Sequence, residues 1–250
     1  MDKIAQQHKA AWEFDAYNFW TEHNGTPEQL AKKLLSAPQK ALRQYASYFD
    51  TYEGVRTANI CGSCGKKAVP LAALGASVTI FDLSEQNCRY ATELAAAAQV
   101  PLSYEVCDVM TIDPGRFDAA FDIVFMEGGV LHYFHDLPAF MQKMSALLRP
   151  GGRMICSDFH PFTKIQDSLG LQQPAVGYFS TELIQGEMAH ARFYPDDIRR
   201  SFPKCLYRKY TISEILNAAL FAGFTIRRFD EHPAWENASL PGEFTLVAEK

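Results

Sequence analysis

The chain has 250 residues and a mass of 28.1 kDa, a size suited to one α/β domain with an appendage. Apolar residues make up 48%, enough to bury a full core, which excludes a disordered chain. With 29 acidic against 24 basic residues and a formal charge of −5, the sequence lacks the basic stripe of a nucleic-acid binder. The weak cluster Arg199, Arg200, Lys204, Arg208 and Lys209 reads as a solvated face. No apolar leader opens the sequence and no run of about 18 apolar residues occurs, so a soluble, cytoplasmic protein without a membrane partner is expected. Cys61, Cys64, Cys88, Cys107, Cys156 and Cys205 are scattered through expected strands and helices and read as reduced thiols.

The first fifty or so residues read as helical and aromatic-rich. Trp12, Phe14, Tyr17, Phe19 and Trp20 lie close together. Thr26-Pro27-Glu28 opens a second helix, and a third is expected from about Pro38 to Phe49. Because these helices precede the first strand, residues 1–54 form an appendage to the sheet. Residues 55–250 form the main domain.

Thr57–Ser84 is the most informative stretch. Strand one runs over Thr57–Cys61, and Gly62-Ser63-Cys64-Gly65 is a turn whose backbone N–H groups can approach a ligand. A helix over Lys66–Leu74 ends at Gly75, and Ser77–Phe81 is strand two. Asp82 follows Gly65 by 17 residues, about where a βαβ unit sets an acid against a ribose diol. Ser84 caps the next helix, which runs to about Gln99.

Leu102–Val106 is strand three, closing at Cys107-Asp108-Val109, and Phe121–Met126 is strand four, leading into Glu127-Gly128-Gly129. Asp136 caps an amphipathic helix that Arg149-Pro150-Gly151-Gly152 stops, turning the chain into strand five at Arg153–Ser157. Regularity is lost from about 159 to 210, an insertion read as a cap over a site. A helix over Thr211–Ala222 and strands over Phe224–Phe229 and Glu243–Ala248 follow, the last two antiparallel.

Taken in order, the glycine turn, FDLS, CDVM, FDIVFMEGGVLHYF and LLRPGG resemble the class I S-adenosylmethionine-dependent methyltransferases over about residues 55–158. Where that family usually has acid-x-Gly-x-Gly-x-Gly, this chain has Asn59-Ile60-Cys61-Gly62-Ser63-Cys64-Gly65. It keeps the last glycine and resembles a bacterial small-molecule branch. The resemblance implies an α/β doubly wound, seven-stranded, mostly parallel sheet in the order 3-2-1-4-5-7-6 with the last strand antiparallel. It implies S-adenosylmethionine as cofactor, with S-adenosylhomocysteine as product, and a small-molecule acceptor methylated at nitrogen or oxygen.

Position by position, Asn59 and Cys61, Gly62, Ser63 and Gly65 would flank the methionine part of the cofactor. Asp82 would accept from the ribose hydroxyls, with Leu83 against the adenine. Asp108 and Val109 would hold the adenine edge, Glu127 and Gly128 would line the floor, and Tyr17, then Trp20, would close over the cofactor. Methyl transfer is an in-line displacement, so a base is needed only for a protonated acceptor. His132, Asp158 and His160 are the candidates, and His135 reads as a surface residue.

Three rivals are open at this point. Cys61-Gly62-Ser63-Cys64 also has the spacing of a thioredoxin-type redox site. An NAD(P)-dependent enzyme shares the βαβ unit but not this turn, and a binding protein without turnover would keep the same acids. A metal site is not expected, and either a monomer or a homodimer is compatible with the sequence.

Overall fold

Thr26, Ser84, Asp136 and Thr211 each offer a side-chain oxygen to a first-turn N–H of the helix that follows. The distances are 3.4, 3.0, 3.0 and 3.2 Å. At Thr26 and Thr211 the motif is a full capping box with Gln29 and Glu214. The computed structural model describes residues 1–162 and 177–250.

Four helices open the chain: α1 (Lys3–Glu13), α2 (Ala16–Asn24), α3 (Pro27–Leu35) and α4 (Pro38–Ala41), the last running into a 3-10 turn over Arg43–Tyr48. The winding begins with β1 (Arg56–Ile60), α5 (Ala68–Ala73), β2 (Ser77–Asp82), α6 (Glu85–Ala98) and β3 (Ser103–Val106). It continues through the short α7 (Pro114–Phe117), β4 (Phe121–Met126), α8 (Leu137–Leu147) and β5 (Leu148–Phe159). In the insertion lie β6 (Ile184–Gly186), α9 (Asp196–Arg199) and β7 (Cys205–Tyr207). The chain then forms α10 (Ile212–Phe221), β8 (Thr225–Pro233) and β9 (Pro241–Glu249).

The main sheet has seven strands in the order β3-β2-β1-β4-β5-β9-β8, parallel except for β9, which runs against both of its neighbours. This is the order expected from the motifs, since β6 and β7 pair only with each other. Both faces of the sheet are covered, so the central strands are buried as near-continuous apolar runs. Phe140, Met141 and Met144 of α8 pack on one face with Val124, Met126 and Phe244. Leu71 of α5 packs on the other with Ile80, Phe125 and Ile155.

Two boundaries differ from expectation. Arg149–Gly152 does not separate helix from strand: β5 already pairs at Leu148, and the four residues form an irregularity within it. The C-terminus explains this, because Gly151 N–H donates to Lys250 O and Lys250 N–H to Gly152 O, both at 2.9 Å. β8 runs on to Pro233 because it pairs with β9 along its whole length. Its exposed charged residues hid that extension from a reading based on hydrophobicity.

The N-terminal helices and the insertion pack against one another. Ala11, Met188, Ala191, Phe202 and Cys205 form a small core, joined by Trp12, Phe14, Tyr194 and Tyr207. His190 sits within it, 2% exposed, stacked on Phe19 at 4.4 Å and edge-on to Trp12 and Phe202 at 5.9 and 5.7 Å. Residues 163–176 of the expected insertion lie outside the described residues.

Burial pushes the His190 imidazole from 6.5 down to about 4, with the Phe14 carbonyl and Asp15 opposing the shift and His23 adding to it. An imidazole that is harder to protonate folded than unfolded loses stability on acidification, starting near pH 6.5 and levelling off below about 4. Between those values, the urea-unfolding free energy of the wild type is expected to fall relative to His190→Phe. A gap between the two proteins that stays constant with pH would exclude His190 as the buried neutral group.

Candidate active site

The turn after β1 brings three residues into the left-handed region: Cys61 (φ 50°), Ser63 (φ 49°) and Gly65 (φ 78°). These are the positions where acid-x-Gly-x-Gly-x-Gly has its glycines, so the backbone keeps that shape with two of the three replaced. Gly62 is required for a different reason. A Cβ there would lie 2.5 Å from Asn59 Oδ1 and 3.0 Å from an Ile80 methyl. Asn59 donates from Nδ2 to Phe125 O at 3.3 Å, leaving Oδ1 buried beneath the turn. Asn59 Oδ1 and Ser63 Oγ are both buried without a hydrogen-bond partner among the described residues. Such orphaned polar atoms beside a ligand cavity are what a bound polar group would satisfy.

Asp82, at the end of β2, is 7% exposed. Its Oδ1 accepts from Ser84 N–H (2.9 Å) and Asn87 Nδ2 (3.2 Å), and its Oδ2 from Ser63 N–H (3.1 Å). Burial raises the carboxyl above its ordinary range, and these three donors offset part of the shift. Asp108 Oδ1 accepts from Met110 N–H at 2.9 Å. Burial also raises Glu127, against the opposing charge of Lys67.

A cavity of about 630 Å³ is lined by Asn59, Cys61, Gly62, Ser63, Asp82, Leu83, Asp108, Val109, Glu127 and Gly128. Ten of the twelve expected cofactor residues thus meet in one space, at the carboxyl ends of the strands where the order reverses between β1 and β4. The other two are Gly65 and Tyr17. Gly65 supports the turn from behind, where an added Cβ would meet Ala91 Cβ at 3.0 Å.

Tyr17, expected to close over the site, is turned away. Its hydroxyl donates to Glu93, its ring packs on Tyr90 at 5.7 Å, and Arg89 covers it. Trp20 lines the cavity instead, together with His8 and Trp12 of α1 and also His135.

A second cavity of about 350 Å³ adjoins the first, sharing Trp12, Gly128, Gly129, Tyr133 and Ala189 with it. Its remaining walls include His132, Asp158, Phe159, Tyr207, Lys209, Tyr210 and Phe244. Gly129 (φ +90°) lies between two rings, and a Cβ there would come within 2.4 Å of Phe159 and 3.0 Å of His132.

The three expected bases have different surroundings. Burial, with Lys209 adding to it, pushes the His132 imidazole down to about 3. No hydrogen bond to either of its ring nitrogens is recorded among the described residues. Asp158 is raised by burial to about 6, and its oxygens accept from the N–H groups of Val130 (2.7 Å), Leu131 (2.7 Å) and Phe159 (2.6 Å). His160 lines neither cavity. It is 3% exposed, its Nδ1 accepts from Phe162 N–H at 3.0 Å, and its Nε2 lies 2.8 Å from Glu231 of β8. Of the three expected bases, the structure thus brings only His132 and Asp158 to the smaller cavity.

All six cysteines are free. Burial pushes Cys64 up to about 12 and Cys61 well above 9.0, the reverse of the lowered thiol that redox exchange needs. Among the described residues no cluster could hold a metal ion and no helix is long and apolar enough to cross a membrane. Trp12, Tyr133, Tyr207 and Tyr210 were not picked out as site residues. Only the density of aromatics near the N-terminus and in the insertion hinted at them.

Residues 59–152 match the family described as a methyltransferase domain. A ubiquinone biosynthesis O-methyltransferase of Chelativorans sp. (strain BNC1) is 30% identical over 154 residues, 60% of this chain and 57% of that protein. Another of that name from Methylobacterium nodulans is 37% identical over 94 residues, 37% of this chain and 35% of that one. The chain thus spans about half, or less, of the length of the curated relatives it matches. Among solved structures, a putative S-adenosylmethionine-dependent methyltransferase from Listeria monocytogenes has a TM-score of 0.65 at 20% identity, covering 84% of this chain and 97% of that one. The magnesium protoporphyrin IX methyltransferase of Synechocystis PCC 6803 with bound S-adenosylhomocysteine has 0.63 at 15%, covering 99% and 100%. These structures share the fold. The matched methyltransferase domain lies on β1 to β5, around the turn and acids described above, and the whole sheet has the fold of these S-adenosylmethionine-dependent methyltransferases.

Proposed function

We propose that the protein binds S-adenosylmethionine in the larger cavity and transfers its methyl group to an oxygen or nitrogen of a compact aromatic molecule in the smaller one. One observation carries this reading: the two cavities meet at Gly128, Gly129, Trp12, Tyr133 and Ala189, so donor and acceptor can face each other without crossing solvent. When bound, the cofactor supplies an electrophilic methyl group on a sulfonium.

The residues act by holding and enclosing. Asn59 Oδ1 and the Cys61–Gly65 turn receive the amino-acid end. Asp82 Oδ2, which among the described residues accepts only from Ser63 N–H, keeps a lone pair for the ribose hydroxyls, Leu83 and Val109 contact the adenine, and Asp108 accepts from its amine. Glu127 and Gly128 form the floor. Trp20 takes the closing position first assigned to Tyr17. Residues 1–54 act as a lid and the 159–210 insertion as a cap, supported by the packing of Trp12 and Phe14 against Phe202 and Tyr194.

Size and charge bear on the acceptor. A cavity of about 150 Å³ holds benzene, so one of about 350 Å³ suits one or two rings. Its walls are mainly apolar and rich in aromatic rings, and both acids on them are tied within the protein: Asp158 accepts from three N–H groups, and Glu187 pairs with Lys204 and Arg199. An uncharged or weakly acidic acceptor is therefore favoured over a cation. The names of the curated relatives favour oxygen.

His132 is the residue suited to take a hydrogen bond from the acceptor's O–H or N–H, because burial keeps its ring neutral throughout the physiological range. Asp158 instead acts through the loop it ties, holding Val130 and Leu131 beside the shared wall.

Calorimetric titration with S-adenosylmethionine, S-adenosylhomocysteine and NAD tests the cofactor, with micromolar binding of the first two and none of NAD expected. A mass-spectrometric screen of hydroxylated and amino aromatics then separates turnover from binding alone. Asp82→Ala is expected to weaken S-adenosylhomocysteine roughly 10- to 150-fold, about 1.5–3 kcal/mol for a charge-assisted bond. His132→Phe is expected to lower kcat by about 100-fold or more while leaving that affinity within about twofold. Equal loss of both, or of neither, would remove His132 from the proposed role.

A further inference from the structure

Asn87, in the first turn of α6, lines neither cavity and is 1% exposed. Its carboxamide nevertheless spans the gap between two walls of the larger one. Trp20 Nε1–H donates to Asn87 Oδ1 at 2.7 Å, and Asn87 Nδ2 donates to Asp82 Oδ1 at 3.2 Å. From Asp82 the chain continues through Oδ2 to Ser63 N–H at 3.1 Å, in the turn itself.

The orientation of the amide is dictated by chemistry. An indole N–H can only donate and an ionised carboxylate can only accept, so oxygen must face Trp20 and nitrogen must face Asp82. The backbone adds a third constraint, since Asn87 N–H donates to Ser84 Oγ at 3.0 Å. No other side chain of this length carries both a donor and an acceptor. Aspartate here would set one carboxylate against another, and leucine would leave both the indole N–H and an Asp82 lone pair unmet.

Both ends of the chain face the larger cavity: Trp20 from α2 and Asp82 from β2. Two further contacts seat the C-terminal end of α2 on the main domain. Tyr90 OH donates to Gly25 O at 2.7 Å, and Lys66 Nζ to Asn24 Oδ1 at 3.1 Å. Trp20 also meets Phe19 at 4.8 Å and His190 of the insertion at 6.2 Å. A movement of the indole is thus shared with the insertion on one side and with Asp82 on the other.

We infer that Asn87 is a positioning residue that registers α2 against the cofactor acid. Cofactor engaged at Asp82 holds Trp20 in place over the cavity, and a seated Trp20 holds Asp82 charged and aimed at the ribose. This rests on the cofactor reading above.

The test is calorimetry with S-adenosylhomocysteine on the wild type, Trp20→Phe, Asn87→Leu and the double variant, from about pH 5 to 8. Trp20→Phe keeps a ring and removes the N–H. Each single change is expected to weaken binding about 3- to 10-fold, the range of one hydrogen bond. The double variant is expected to be no weaker than the worse single, because both cut one chain. Penalties that multiply would overturn the inference.

Asn87 Nδ2 favours the charged form of Asp82. In Asn87→Leu the loss of affinity on acidification should therefore begin at higher pH than in the wild type, and the shift should be smaller in Trp20→Phe. An acid limb unmoved in Asn87→Leu would reduce the residue to packing and refute the proposal. Should Asn87→Leu fail to fold, Trp20→Phe decides alone, and wild-type affinity in that variant overturns the inference. Wild-type binding with unaffected variants sinks this inference only, whereas a wild type that ignores S-adenosylhomocysteine sinks the cofactor reading and this inference together.

Discussion

Burial drives the Asp82 carboxyl toward its neutral form, and three donors from two parts of the chain work against that: Ser63 N–H in the glycine turn, and Ser84 N–H and the Asn87 side chain at the start of α6. A carboxylate in this position joins the end of β2 to the turn after β1 and to the helix that follows. If the acid were removed, Ser63 N–H, Ser84 N–H and Asn87 Nδ2 would each lose a partner in a place that water barely reaches. The site's shape therefore depends on a charge that the fold itself makes costly.

The turn shows a second cost. Left-handed backbone at a residue with a Cβ costs roughly 1–2 kcal/mol, and Cys61 and Ser63 both adopt it where glycine would be free of strain. The surroundings hold them there. Cys61 N–H donates to Phe81 O at 2.7 Å, and Tyr104 OH donates to Ser63 O at 3.1 Å. Retained strain of this kind is common where a backbone must present N–H groups to a ligand. The cysteine pair has no redox character: both side chains are small, and burial raises their thiols out of the reactive range.

The first helices and the insertion meet through aromatic rings, with His190 among them, and together they wall both cavities. The division of labour follows from the interactions: directional bonds around Asp82 and the turn, apolar contact around the space beside Gly129.

Much of this was legible in the sequence because it is written in local signals. The helix caps at Ser84 and Asp136 follow from local residue pattern, while the strand order and the ten expected cofactor positions that line the larger cavity follow from the resemblance carried by the motifs along β1, β2, β3 and β4. Short-range rules suffice there, since a parallel βαβ unit fixes where its strand ends must lie.

What failed depended on distant partners. Tyr17 and Trp20 sit three residues apart on one helix, and only their partners on α6, Glu93 and Asn87, decide which faces the cavity. His160 stands apart from both cavities, beside Glu231 of β8, a strand far along the chain. Arg149–Gly152 joined a strand because Lys250 offered it hydrogen bonds. Sequence alone determined the helix caps, the glycine turn and the acids at the strand ends, which are set by local pattern. Which aromatics and histidines face the smaller cavity was decided only by tertiary structure, because side-chain direction there is set by contacts between segments far apart in the chain.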